Sequence, residues 1–170
     1  MENLFETLAP ESRVWVFTGS RLLLPHEAEA LRGDINRFVS TWTAHQAPVK
    51  GCGTLLHNLF VVFAADEREV AVSGCSIDSM MHFVRDAGSR YRVDFFNRWN
   101  IAYRENGTVH VTDLTHFKQK IQRGELSENT PVFNPLVQTL ADFYRRFEMP
   151  YAVSGYKQAE PVNQIPGLTL

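Results

Sequence analysis

Cysteine, long apolar runs and concentrated charge of one sign are all scarce in this chain, and each scarcity excludes a class of protein. Only Cys52 and Cys75 occur, too few for a disulfide scaffold and at a spacing that matches no zinc pattern. No stretch approaches the roughly 20 apolar residues that a membrane span requires. Met1–Arg13 carries Glu2, Glu6 and Glu11 and no apolar segment, so it does not read as a secretory signal. The net charge is −2 and no basic run exceeds Arg145-Arg146. Phosphate backbones demand a basic face, so nucleic acid is not an expected partner. The expected location is the cytoplasm, with both thiols reduced and no membrane attachment.

The familiar catalytic signatures are missing too. No Gly-Lys-Ser/Thr sequence occurs, so the phosphate-binding loop of nucleotide hydrolases is absent. There is no G-x-G-x-x-G fingerprint, no H-E-x-x-H and no G-x-S-x-G elbow. Nothing in the sequence implies a cofactor or a metal.

What is present is an ordinary globular composition. Of 170 residues, 44% are apolar and 21% charged, with twelve Phe and three Trp, enough to fill a single core. The chain divides into a lead-in over 1–12, one domain over 13–148, and a loosely held tail over 149–170. Arg13–Thr18 is β-branched and aromatic and reads as a strand closed by Gly19-Ser20. Pro25 is placed to open a helix. Its inward stripe is Ala28, Leu31, Ile35, Phe38, Val39 and Trp42, with Gly33 as a weak spot. Gln46–Gly53 reads as a loop. His57-Asn58 divides two apolar runs and suggests a hairpin, whose second run, Leu59–Ala65, is expected to be buried on both faces. Ser76 would cap a helix with Ile77, Met80, Met81 and Val84 inward, ending near Gly88. Asn100–Arg104, a turn at Asn106-Gly107 and Val109–Val111 form a second hairpin. Thr112 or Asp113 then caps a helix closed by Gly124, and a last helix runs from about Leu136 to Phe147. Strand, helix, strand, strand, helix, strand is the split βαβ order. The expected class is therefore α+β, a ferredoxin-like core extended by a C-terminal hairpin and two helices.

Ser73-Gly74-Cys75-Ser76-Ile77-Asp78-Ser79, at a helix start, is the best candidate site. Free N–H groups and the positive dipole end gather there, favouring a thiolate or a bound anion. On the functional reading Cys75 is a nucleophile or redox group, Asp78 its acid–base or orienting partner, and His45 a third member. Ser73, Gly74, Ser76 and Thr43 would line the ligand, a small anion. The plainer reading makes Cys75 a small hydrophobe and Asp78 a first-turn carboxylate, with His45 answering the dipole at the end of the first helix. Two functions follow: a binding domain for a small anionic ligand or a protein partner, or a small thiol-dependent enzyme. Phe95, Phe96 and Trp99 read as core with a polar rim, or as an interaction surface where exposed. Met80-Met81 reads as core filling.

Trp42-Thr43-Ala44-His45 followed by Ser73-Gly74-Cys75-Ser76-Ile77-Asp78 resembles a family of small bacterial proteins often labelled "ABC transporter ATPase". The resemblance runs from about Arg13 to Tyr156 and includes Asn100–Tyr103 and Val132–Asn134. Gln46 stands where that family has glycine. The family has no established activity, so no residue inherits a role, and the ATPase label has no phosphate loop to support it here. Separately, Asp113–Phe143 resembles the small GYF-like repeat in its helix, its Gly124-Glu125-Leu126 and its Thr130-Pro131-Val132-Phe133. That resemblance implies a peptide- or protein-binding element.

Overall fold

The computed structural model describes residues 5–44 and 46–160. In chain order the elements are β1 (Arg13–Thr18), α1 (Pro25–Thr41), β2 (Thr43–Ala44), β3 (Ala47–Pro48), β4 (Gly51–Leu56), β5 (Phe60–Ala65), α2 (Gly74–Tyr91), β6 (Asn100–Glu105), β7 (Thr108–Asp113), α3 (Leu114–Gln122), β8 (Pro131–Phe133), α4 (Leu140–Arg146) and β9 (Glu148–Pro150). Two 3-10 turns, Tyr151–Val153 and Gly155–Lys157, follow. The class is α+β, as the sequence predicts, and every strand pairing is antiparallel.

One sheet runs β1-β5-β4, a second runs β7-β6-β8-β9, and β2 pairs only with β3. All six residues of central β5 are buried. Val61, Phe63 and Ala65 face α1 and α2, while Phe60, Val62 and Ala64 face α4 and the second sheet. That double burial is why Phe60–Ala65 is apolar throughout instead of alternating. A third core, on the far face of the second sheet, joins Ile101, Tyr103 and Val132 to Leu114 and Phe117 of α3.

Local chemistry sets the element ends. Pro25 opens α1, and Glu27 accepts the Leu24 N–H at 2.8 Å. His57 and Asn58 both hold positive φ (51° and 52°), and the Leu59 N–H closes the turn on the Leu56 carbonyl at 2.9 Å. Asn106 and Gly107 do the same between β6 and β7 (φ 49° and 79°). Asp113 caps α3 by accepting the His116 N–H, and Thr139 caps α4 by accepting the Asp142 N–H.

Several expectations shift. The last strand of the split βαβ plan, Asn100–Arg104, does not join the first sheet. It sits between β7 and β8, where Ile101 and Tyr103 fill the third core and Ala102 the second. Among the described residues only a short segment reaches the outer edge of β1: Val14 donates to the Gln138 carbonyl, and the Leu140 N–H donates to the Ser12 carbonyl. The loop expected over Gln46–Gly53 contains β3 and the start of β4. Helix α2 passes through Gly88 to Tyr91, and the left-handed cap is Arg92 (φ 53°). Gly88 serves a close return instead: a Cβ there would lie 2.8 Å from the Val93 carbonyl oxygen. Helix α4 starts four residues later than expected, at Leu140, leaving Leu136 at the surface. β8 and β9, three residues each, are too short to show a period. The expected loose tail is, over its described part, held down by β9 and by the buried Tyr151. Phe5, Leu8 and Ala9 of the lead-in are buried as well.

Candidate functional site

The two strings singled out in the sequence meet. Ser73, not Ser76, is the N-cap of α2: its Oγ accepts the Ser76 N–H at 3.2 Å. Ser76 therefore lies inside the first turn, where it is buried and pairs its hydroxyl with that of Ser73 (2.7 Å). The Ser76 Oγ–H donates to the Thr43 carbonyl at 2.9 Å, and the Trp42 indole N–H donates to the Ser76 carbonyl at 2.9 Å. These bonds clamp the end of α1 to the start of α2. Trp42 is buried against Trp15, Phe38 and Phe63, so its N–H has no access to water and needs this partner.

The chemical groups expected there lie outside the clamp. Cys75 is a free, exposed thiol, and Asp78, Gly74 and Thr43 are exposed too. Asp78 stands in the second turn of α2 because the helix starts at Gly74, so it is not a first-turn carboxylate. Cys75 and Asp78 are three residues apart on one helical face; among the described residues neither side chain hydrogen-bonds the other. His45 lies outside the described residues. Ser79, which follows Asp78, turns its hydroxyl back to the carbonyls of Cys75 and Ser76.

A more enclosed surface feature lies elsewhere. A cleft of about 390 Å³ opens in the second half, walled by Trp99, Leu114, Leu136 and Tyr156, with Arg98 and Asn134 at its rim. Leu114 is the first residue of α3. Leu136 is 79% exposed, the most exposed of the large apolar residues described. Arg98 lies over the Trp99 ring at 5.1 Å. Burial in the cleft wall pushes the Tyr156 phenol well above the ordinary tyrosine range. The sequence flagged Trp99 as surface or core; the structure makes it a cleft wall. Arg98 belongs to the same aromatic cluster with polar tips, whereas Asn134, Leu136 and Tyr156 were missed as site residues, because they come from segments distant in sequence that no spacing pattern links. The aromatic cluster at Trp99 and the GYF-like resemblance over Asp113–Phe143 were the signals pointing to this half.

Other charged clusters are already paired. Asp34 of α1 is held by Arg37 on the same helix and, from α2, by Arg90 (2.6 Å) and the Tyr91 hydroxyl (3.3 Å). Asp66, buried, accepts two bonds from the Arg68 guanidinium and lies 3.2 Å from Lys50. The Arg68 guanidinium holds its carboxyl far below the usual range. Arg104 grips Glu148 with two bonds, at 2.6 and 2.9 Å. His57 packs its ring on Phe60 and Phe133 near that pair. Burial, aided by the Arg104 charge, lowers its pKa. Among the described residues no three His, Cys, Asp or Glu side chains gather to hold a metal ion. No described helix is long and apolar enough to cross a membrane.

Comparison of the chain with family profiles, curated proteins and solved structures finds no match.

Proposed function

We propose that the chain is a non-catalytic binding protein, and that its ligand is a peptide or protein segment presenting apolar side chains to the Trp99–Tyr156 cleft. The observation that carries this reading is the cleft itself. It is concave, aromatic and apolar with a few polar groups at the rim, the composition that ligand sites favour. An almost fully exposed leucine stands at its mouth. The GYF-like resemblance of the same half, with its implied peptide-binding role, supports it. The test is to titrate the acetylated, amidated peptide Leu-Pro-Leu while following the Trp99 indole N–H by NMR. A saturable shift, abolished by Leu136→Asp in a folded variant, is expected. No shift up to millimolar peptide, or equal binding by L136D, overturns it.

A second reading places a small anion, or thiol chemistry, at 73–79. The observation in its favour is that Gly74 and Cys75 are exposed at the first two positions of α2, where backbone N–H groups have no helical acceptor. A rise in melting temperature with inorganic phosphate supports the anion. An iodoacetamide rate at Cys75 that titrates well below pH about 8.5 supports the thiol. Absence of both effects removes this reading. On either reading we place the chain with the bacterial family that carries both strings. The Trp42–Ser76 and Ser76–Thr43 bonds give a physical reason for the two strings to occur together. We also take β1, α1, β4, β5 and α2 as a ferredoxin-like frame whose fourth strand is diverted.

A further inference from the structure

Among the described residues the outer edge of β1 is only partly covered, and β1 has one strand neighbour, β5, on its inner side. Backbone groups of an antiparallel strand point alternately to either side. The Val14 N–H points outward, since it donates to the Gln138 carbonyl at 2.9 Å, and so do the same groups of Val16. Gly19, at the far end, turns inward to bond the Leu59 carbonyl. The covering segment pairs with the strand at one bridge only, Arg13 with Thr139, and then departs. Among the described residues nothing hydrogen-bonds the outward N–H or C=O of Val16.

A cleft of about 650 Å³ lies along this uncovered stretch. Trp15, Val16 and Phe17 form one wall, Leu136 and Gln138 the other, and Met81 of α2 closes a side. Edge strands are ordinarily protected by lysine, proline or a bulge. Val14-Trp15-Val16-Phe17-Thr18 contains neither residue, and its register with β5 is unbroken. In a complete split βαβ sheet the last strand would pair here, but that strand is β6, committed to the other sheet.

We propose that this edge is a strand-addition site, and that its occupant is an extended segment of a partner polypeptide. Outward donors and acceptors spaced along a strand edge are matched by another extended backbone. The cleft adds apolar side-chain contacts at Trp15 and Met81. The edge is recessed between Leu136–Gln138 and α2. A lone extended segment fits such a recess better than the β1 edge of a second folded copy, because Pro135–Thr139 lines the same cleft in each copy. This site adjoins the Trp99–Tyr156 cleft, with which it shares Pro135 and Leu136, but the Val16 amide reads it apart from the function proposed there.

The experiment is amide hydrogen exchange of the full chain with and without the acetylated, amidated peptide Thr-Val-Thr-Val-Thr-Lys. A second peptide of the same sequence carries an N-methyl group at every residue, which blocks both of its edges. In the free protein the Val16 amide should exchange at least tenfold faster than those of Trp15 and Phe17. The first peptide should slow Val16 at least tenfold and the N-methylated one should not. Val16→Pro removes an outward N–H and no bond to β5, so it should abolish peptide binding while the β1–β5 ladder stays protected. The proposal is overturned by a slow Val16 amide in the free chain, by no protection at millimolar peptide, or by equal protection from both peptides. Protection that rises with protein concentration alone, with dimer seen by sedimentation, overturns it in favour of a second copy. Should V16P not fold, the two peptides on the unaltered chain decide the matter.

Discussion

Replacing Trp42 by phenylalanine tests the clamp between the two helices directly. The indole N–H donates to the Ser76 carbonyl at 2.9 Å from a ring that is 3% exposed. Phenylalanine keeps the edge-on contact with Phe63 but loses the indole bond; the Ser76 carbonyl still accepts from the Ser79 hydroxyl, so the loss is that of one hydrogen bond, about 0.5–1.5 kcal/mol. The missing benzo ring opens a cavity worth about another 1 kcal/mol. The sum, about 1.5–2.5 kcal/mol, is a sizeable part of a total that is roughly 5–15 kcal/mol for a domain. Ser76→Ala removes the Oγ bond to the Thr43 carbonyl and should cost about 1–2 kcal/mol. Both bonds tether the same junction, so the double variant should cost less than the sum of the singles, by about 0.5 kcal/mol or more. Urea unfolding followed by far-UV circular dichroism reads all three free energies, and m should stay constant. A W42F loss below about 0.5 kcal/mol, or strict additivity, refutes the clamp.

Gly33 and Gly88 should respond oppositely to alanine. Gly33 is an exposed α1 residue with open space around its Cα, so Gly33→Ala should stabilise by about 0.5–1 kcal/mol. Gly88→Ala should destabilise by about 1–3 kcal/mol, since its Cβ would meet the Val93 carbonyl at 2.8 Å; equal signs in urea unfolding would contradict the packing. In acid, Asp66 and Glu27 set the response. Arginine partners hold both carboxyls low, Glu27 at about 2. Their contribution is complete above the unfolded values near 4 and is lost as pH falls below them. Asp66→Asn should be less stable at pH 7 and show a flatter stability curve between pH 5 and 2; an unchanged slope tells against the Arg68 pairing. His57 works with the opposite charge. Its folded pKa is lowered, so below pH about 6.5 the unfolded chain takes up a proton that the fold resists, and stability falls. His57→Asn, which accepts the left-handed turn, should lose less stability between pH 7 and 5 than the unaltered chain. A greater loss rules the mechanism out.

Short-range chemistry was legible in the sequence because it is local. Arg13–Thr18 is bounded as read, the His57-Asn58 and Asn106-Gly107 turns carry the positive φ that their residues favour, and the continuous run to Ala65 is buried on both faces. Errors arose where two signals shared a residue type. Gly88 looked like a helix stop and is a packing glycine. Ser76 looked like a cap because it precedes an apolar stripe, but Ser73 takes that role and frees the Ser76 hydroxyl to reach Thr43.

The placement of β6 was illegible for a different reason. Strand order in sequence is compatible with more than one sheet, and the choice falls to side chains on both faces. Ile101 and Tyr103 require α3 beneath them, and Ala102 is small enough to lie under the Phe133 layer. Pairing β6 with β1 would satisfy one of these faces and expose the other. The adjacent β7 offers full six-residue pairing across a two-residue turn, so the hairpin forms with little loop-closure cost. The same preference that completes the second sheet leaves the edge of β1 short of a partner beyond Val14. The fold's departure from the split βαβ plan and its open backbone edge thus share one cause.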